Sequence, residues 1–169
     1  FSIGSRSSNS RAATACSSGR ATRMLADGAV ASLARLAQLA ADHATTVMAG
    51  RSHNVAAQAT TLGKRFASAA EELLEAHDRL RALIERYPLR GLKGPVGTQA
   101  DLVDLLGSPE QVVNLERRVA THLGFANVLT SVGQVYPRSL DYEVVTALAQ
   151  LASGPSSLAT TIRLMAGNE

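Results

Sequence analysis

"TLGKRFASAAEELLEAHDRLRALIERY", residues 61–87, decides the fold. Phe66, Ala70, Leu73, Leu74, His77, Leu80, Leu83 and Ile84 recur at three- and four-residue steps, the repeat of one face of an α-helix. Glu71, Glu72, Glu75, Arg79, Arg81 and Arg86 supply the opposite, wet face, some of them four apart as helical ion pairs. Pro88 stops the run, because proline pushes the residue before it out of the helical region.

The same pattern continues on both sides. From Arg23 to Val47, Leu25, Ala29, Leu33, Leu36 and Ala40 form an apolar stripe, and Gly50 marks its break. Downstream, Thr98 to Leu106 reads as a short helix. Ser108, with Pro109 and Gln111 after it, has the spacing of a capping box, and the helix it opens runs to about His122, ended by Gly124. Residues 125–137 read as a connector. From Arg138, Leu140, Val144, Val145, Leu148 and Leu151 mark another helix. Gly154-Pro155 is expected to kink or break it before Leu158, Ile162 and Leu164 resume the stripe. No strand alternation exceeds a few residues and no segment repeats. The expectation is an all-α fold of long helices packed as a bundle, over residues 23–169.

Residues 1–22 read differently. "FSIGSRSSNSRAATACSSGR" is rich in Ser and Arg with little periodicity, and is expected to be a flexible tail. Its acid-free composition also matches an organelle transit peptide. The first residue is Phe rather than Met, as in a processed chain or one cut from something longer.

Composition narrows the class further. Of 169 residues 46% are hydrophobic and 18% charged, which excludes a disordered chain. Ala and Leu dominate, and both favour helix. No run approaches the roughly 18 apolar residues that span a bilayer. Cys16 is the lone cysteine, so an internal disulfide framework is excluded and a reducing, cytoplasmic setting is expected. The net charge of +3 belongs to the N-terminal stretch: four of 17 Lys and Arg lie in residues 1–26 with no acid, leaving 13 against all 14 acids. A nucleic-acid-binding protein would show a basic face with stacking aromatics, and neither is visible.

Two stretches carry chemistry. In "GRSHNVAAQATTLGKRFA", residues 50–67, His53 sits in a loop between Ser52 and Asn54, and an imidazole gives or takes a proton close to neutral pH. Gln58 offers an amide. Thr60 and Thr61 fall at the start of the next helix, where free N–H groups favour anions, and Lys64 and Arg65 add positive charge. The bland alternative is a polar loop, a capped helix and an ordinary surface histidine. In "RGLKGPVGTQADLVDLLG", residues 90–107, Gly91, Gly94 and Gly97 let backbone approach a ligand, and Arg90 and Lys93 bias it toward anions. It is no Walker A loop, since no Gly-Lys-Ser/Thr follows; the bland alternative is a connector. His77, on an apolar face, reads as a satisfied core histidine, and His43 and His122 as helix-end residues. No His, Cys, Asp and Glu set has metal-ligand spacing, and no cofactor is expected.

Together these stretches resemble a known family. Residues 50–67 resemble the segment around the catalytic histidine of adenylosuccinate lyases. Residues 90–107 resemble their Gly-Thr-Gln-Ala loop, and "TSVGQVYPRSLDYEVVTALAQLASGPSSLATTIRLMA", residues 130–166, their next long helix region. The likeness covers roughly residues 24–169. It points to this family over its superfamily relatives, which include argininosuccinate lyase, fumarase and aspartase.

The resemblance implies removal of fumarate from adenylosuccinate, and from the succinylated aminoimidazole carboxamide ribotide, in purine biosynthesis. His53 matches the general acid and Ser52 a hydroxyl contacting substrate. Gln99 matches the substrate-binding glutamine, with Thr98 beside it. Thr60, Thr61 and Lys64 match residues of the histidine segment and are expected to bind substrate as well. The resemblance also implies a homotetramer with a central helical bundle and active sites shared between subunits. Two departures stand out. The family's Thr-Ser-x-Asp stretch is replaced by "IGSRSSNSR", and its Ser-Ser-x-Met-Pro-x-Lys-x-Asn motif, which carries the base, has no counterpart in residues 1–169. The expected architecture is therefore that bundle incomplete at both ends, and the chain alone is expected to be inactive. The competing readings are a non-catalytic fragment that only assembles, and another fumarate-releasing lyase.

Overall fold

The computed structural model describes residues 6–167, with side chains from Arg20 onward. In chain order the elements are α1 (Arg6–Asp42), β1 (Val47–Ser52), β2 (Val55–Thr61), α2 (Leu62–Arg86), β3 (Pro88–Leu89), α3 (Ala100–Leu106), α4 (Pro109–His122), β4 (Asn127–Val128) and α5 (Ser139–Gly167). Helix dominates, as an all-α fold requires. The chain divides into two units, one built on Ala82–Val145 with the chain up to Arg20, the other on Ala21–Arg81 and the chain from Thr146 on.

In the second of these units the apolar stripes become the core. Ala26 and Ala29 of α1, Leu73, Ala76 and Leu80 of α2, and Ala147 of α5 are buried. Leu33, Leu36 and Ala40 continue the α1 face half-buried. Leu25 and Leu74, both expected inside, are 49% and 48% exposed; on α1 the burial falls on Ala26 instead, one residue further round the helix. The turn from α1 brings α2 against it so tightly that only glycine fits at 63. A Cβ there would strike the Ala40 carbonyl and lie 2.8 Å from the Ala44 nitrogen. The Gly63 N–H donates to the His43 carbonyl at 2.9 Å, fixing the start of α2. His77 is only half satisfied: Nδ1 lies 3.2 Å from an Asp78 oxygen, and Nε2 is buried without a partner.

Three expectations are corrected along these elements. Residues 47–61 are not a loop but an antiparallel hairpin. Its residues are mostly exposed, with only Met48, Gly50, Thr60 and Thr61 half-buried, and the sequence there lacks the apolar–polar alternation that announces a strand. Second, α5 runs through Gly154-Pro155 without a break. Proline removes a single N–H, and the position is held by packing: a Cβ on Gly154 would touch the Leu73 nitrogen of α2 at 3.4 Å, and the Ser153 hydroxyl donates to Glu72 at 3.0 Å. Third, α1 begins at Arg6, so residues 6–22 are helical rather than a flexible tail, although the boundary between the two units falls inside this helix, after Arg20. Ala and Arg are good helix formers, and no proline interrupts them. Residues 1–5 of the expected tail lie outside the described residues.

The other unit is built around α4. The Ser108 hydroxyl accepts from the Gln111 N–H at 3.3 Å with Pro109 in the first turn, so the expected N-cap forms. The Glu110 carboxyl is held below its usual range, first by the backbone N–H of this helix start and then by Ser108. At the other end Gly124 takes φ of 79°, the left-handed turn that only glycine adopts freely. Val112 and Ala120 are buried, as is Leu83 from the last turns of α2. The short α3 packs on α4. It starts at Ala100, two residues later than expected, leaving Thr98 outside the helix. Pro88 ends α2 as expected, and the next residues pair with the connector: Pro88–Leu89 lie parallel to Asn127–Val128.

Candidate functional site

The hairpin carries the first set of candidate residues. His53 and Asn54 form its two-residue turn, both with positive φ, 50° and 65°. That is the geometry of a type I′ turn, the reversal that suits the twist of the flanking strands. Asn and His tolerate this region better than most residues. The Arg51 guanidinium donates to the Asn54 carbonyl at 2.8 Å and closes the turn. Between Gly50 and Arg51 the register shifts: Gly50 faces Gln58 while Arg51 faces Ala56, so Ala57 is an extra residue. Such a bulge re-aims the side chains beyond it. Ser52 and His53 end up exposed at the tip, side by side.

The base of the hairpin holds Thr60, Thr61 and Lys64. Thr60 lies in β2 opposite Met48 rather than at the helix start. The Thr61 hydroxyl accepts from the Lys64 N–H at 3.1 Å and so caps α2. Lys64 turns along its own helix and donates to the Ser68 hydroxyl at 3.1 Å. Arg65 is half-buried, with its Nε sealed from solvent and unpartnered.

Thr98 and Gln99 belong to the other unit, in the glycine loop. Three close approaches build that loop. Gly91 and Gly97 take φ of 90° and 84°. A Cβ on Gly97 would strike the Val132 carbonyl, and one on Gly91 would strike the Glu116 carboxylate. The Gly94 N–H donates to the Thr98 carbonyl at 2.7 Å.

Side chains then lock the loop. Glu116 of α4 accepts through a single Oε1 from the Leu92 N–H at 2.8 Å, from Lys93 Nζ at 2.7 Å and from Gln99 Nε2 at 3.3 Å. Gln99 Nε2 also donates to the Leu92 carbonyl at 3.0 Å. The Lys93 side chain is 4% exposed and that of Glu116 12%, so this is a buried ion pair. Arg90 donates to three carbonyls, those of Lys93 (2.9 Å), Gly94 (3.2 Å) and Gly133 (2.7 Å).

The expectation that Arg90 and Lys93 bias the loop toward anions is therefore corrected. Lys93 is neutralised by Glu116, and Arg90 is committed to backbone carbonyls. Glu116 itself went unnoticed in the sequence. It sits 23 residues from Lys93 on a helix face where any acid would look solvated, and no local spacing links the two.

The protein-family profile described as Lyase matches residues 4–169, reaching further toward the N-terminus than the resemblance in the sequence suggested. The chain belongs to this lyase family. Among curated proteins it is similar to the adenylosuccinate lyase of Saccharomyces cerevisiae, 38% identical over 133 residues, covering 78% of this chain and 28% of the relative. It is similar also to the adenylosuccinate lyases of Schistosoma mansoni (36%; 78% of this chain, 28% of the relative) and Methanocaldococcus jannaschii (35%; 77% and 27%). The chain thus spans little more than a quarter of the length of the curated relatives it matches.

Proposed function

We propose that this chain supplies part of the active site of a lyase that eliminates fumarate from adenylosuccinate, and from the succinylated aminoimidazole carboxamide ribotide of purine biosynthesis. The observation that carries the reading is the placement of His53. It lies exposed at the tip of a bulged hairpin, in a turn its backbone enters only at positive φ. A side chain held out in this way is available to a ligand or to a second copy of the chain.

In the reaction a base removes the proton from the succinyl carbon next to the one bearing nitrogen. The electron pair of that C–H bond becomes the C=C bond of fumarate. The C–N bond breaks, and its pair stays on nitrogen. His53, protonated, gives that nitrogen its proton as it leaves. Ser52 contacts the substrate beside it, while Gln99 and Thr98 bind substrate from the glycine loop. Thr60, Thr61 and Lys64 hold the hairpin base and the helix start in place. The base comes from outside residues 1–169, so the chain alone does not turn over. No cofactor takes part, and the setting is cytoplasmic.

A second reading, assembly with copies of itself or with longer subunits, is favoured by the apolar side chains left on the long helices. Met24 and Val30 of α1 and Ile162 and Leu164 of α5 are 68%, 50%, 47% and 52% exposed. Burial in a homotetramer with shared active sites would remove them from water, which isolated monomers do not achieve. Among the described residues no helix is long and apolar enough to cross a membrane.

Complementation tests both readings. The chain is refolded with full-length adenylosuccinate lyase subunits whose catalytic histidine is disabled, mixed assembly is confirmed by sedimentation, and adenylosuccinate cleavage is assayed. The proposal expects regained cleavage that vanishes with His53→Ala. Mixed tetramers without cleavage would leave assembly standing and end the catalytic role.

A further inference from the structure

The two ends of the hairpin obey registers that disagree by one residue. At the base, Val47 faces Thr61 and Met48 faces Thr60. Entry into α2 sets this end: the Leu62 N–H donates to the Thr46 carbonyl at 2.9 Å, and the Gly63 N–H to that of His43 at 2.9 Å. At the tip, Arg51 faces Ala56 and Ser52 faces Val55, as the His53-Asn54 turn requires. Carried to the tip without a break, the base register would face Arg51 with Ala57 and Ser52 with Ala56. His53, Asn54 and Val55 would then form a three-residue loop. Ala57 takes up the difference. Gly50, on the opposite strand, makes room for it: a Cβ there would lie 3.0 Å from the Gln58 carbonyl oxygen. A bulge bends its strand and tightens the local twist, so the tip leaves the line of the base.

We infer that Ala57 and Gly50 are positioning residues for His53, and that they act through the backbone; this rests on the proposed role of His53 as general acid. The ribbon buries little apolar surface, so burial does not pin its register. The direction of His53 is left to the turn and the bulge. Ala57 is exposed, so what counts at this position is the presence of a residue rather than its methyl group. A general acid works only within hydrogen-bond reach of the atom it protonates. Loss of the bend moves the imidazole off that line without touching its chemistry.

The test uses the full chain in mixed assembly with adenylosuccinate lyase subunits whose own histidine is disabled, so that cleavage reports on His53. Deleting Ala57 lets the two registers meet without a bulge, while Gly50 and Gln58, Arg51 and Ala56, and Ser52 and Val55 all stay paired. Nuclear Overhauser contacts across these pairs in the free variant should show an intact hairpin. Even so, kcat should fall about 10²-fold, the cost of a small misplacement, with KM nearly unchanged. Ala57→Ser restores the residue count and should cleave as the unaltered chain does, which separates a bulge from a side-chain contact. Gly50→Val keeps the count but crowds the Gln58 carbonyl, and should lower kcat in the same direction.

An intact hairpin without Ala57 whose kcat is unchanged would overturn the inference, as would an Ala57→Ser variant as slow as the deletion. If the deletion loses its pairing, Gly50→Val decides in its place, and an unchanged kcat there overturns the inference too. So would contacts from Arg51 to Ala57 in place of Ala56 in the unaltered free chain. Cleavage that persists in His53→Ala would sink the proposed function itself. Cleavage abolished by His53→Ala yet indifferent to Ala57 and Gly50 would leave that function standing and remove only the positioning role.

Discussion

The hairpin of residues 47–61 and the glycine loop of residues 90–99 are both dense in polar groups, and they handle them in opposite ways. In the hairpin the polar side chains from Arg51 to Gln58 are exposed. Apart from Arg51 closing the turn, those polar groups are left to solvent or to whatever binds there. In the loop, Arg90, Lys93 and Gln99 are tied to carbonyls or to Glu116. The difference teaches that a cluster of cations and amides near glycines marks a site only after its own backbone has taken its share. A loop with unsatisfied carbonyls consumes donors, because buried polar groups without partners are costly. Among the described residues it leaves over one amide oxygen, that of Gln99.

Substitutions sharpen the contrast. The largest effect is expected at the hairpin tip: His53→Ala in the mixed assembly should lower adenylosuccinate cleavage about 10²–10⁴-fold, the usual worth of a general acid, with little change in the thermal midpoint. A large loss of stability would make the hairpin a structural element like the loop. Glu116→Ala should do the reverse. It strands the buried Lys93 charge, and denaturant titration should report a loss of about 3–5 kcal/mol. Gly97→Ala forces a Cβ into the Val132 carbonyl at positive φ and should cost about 1–3 kcal/mol by the same measurement. The smallest effect is at the hairpin base. Thr61→Ala removes the α2 cap and should cost about 1 kcal/mol, whereas Thr61→Ser should restore it. A Thr61→Ala variant that keeps its stability but loses affinity for adenylosuccinate would move Thr61 from the cap to the binding surface.

Much of the helical framework was legible because its signals are local. Periodicity placed α2 within a residue at each end, and Ser108, Pro109 and Gly124 marked both ends of α4. The misses are places where a distant partner decides. Pro155 stays in a helix because α5 packs down onto α2 at Gly154. The hairpin escaped notice because its Ala-rich strands bury neither face, and its turn uses His-Asn rather than Asn-Gly. In the candidate site His53 was visible as a residue, but its left-handed backbone was not. The roles of Arg90 and Lys93 were misread because Glu116, more than twenty residues away, faces the loop only after α4 has folded.

Amide hydrogen exchange of the free chain, read peptide by peptide, tests the contrast most directly. Residues 51–58 form part of an exposed two-stranded ribbon, marginal in water, and should exchange fast. Residues 90–99, clasped by Arg90 and Glu116, should exchange markedly more slowly and lose that protection in Glu116→Ala. Equal rates in the two segments of the unaltered chain would contradict the account.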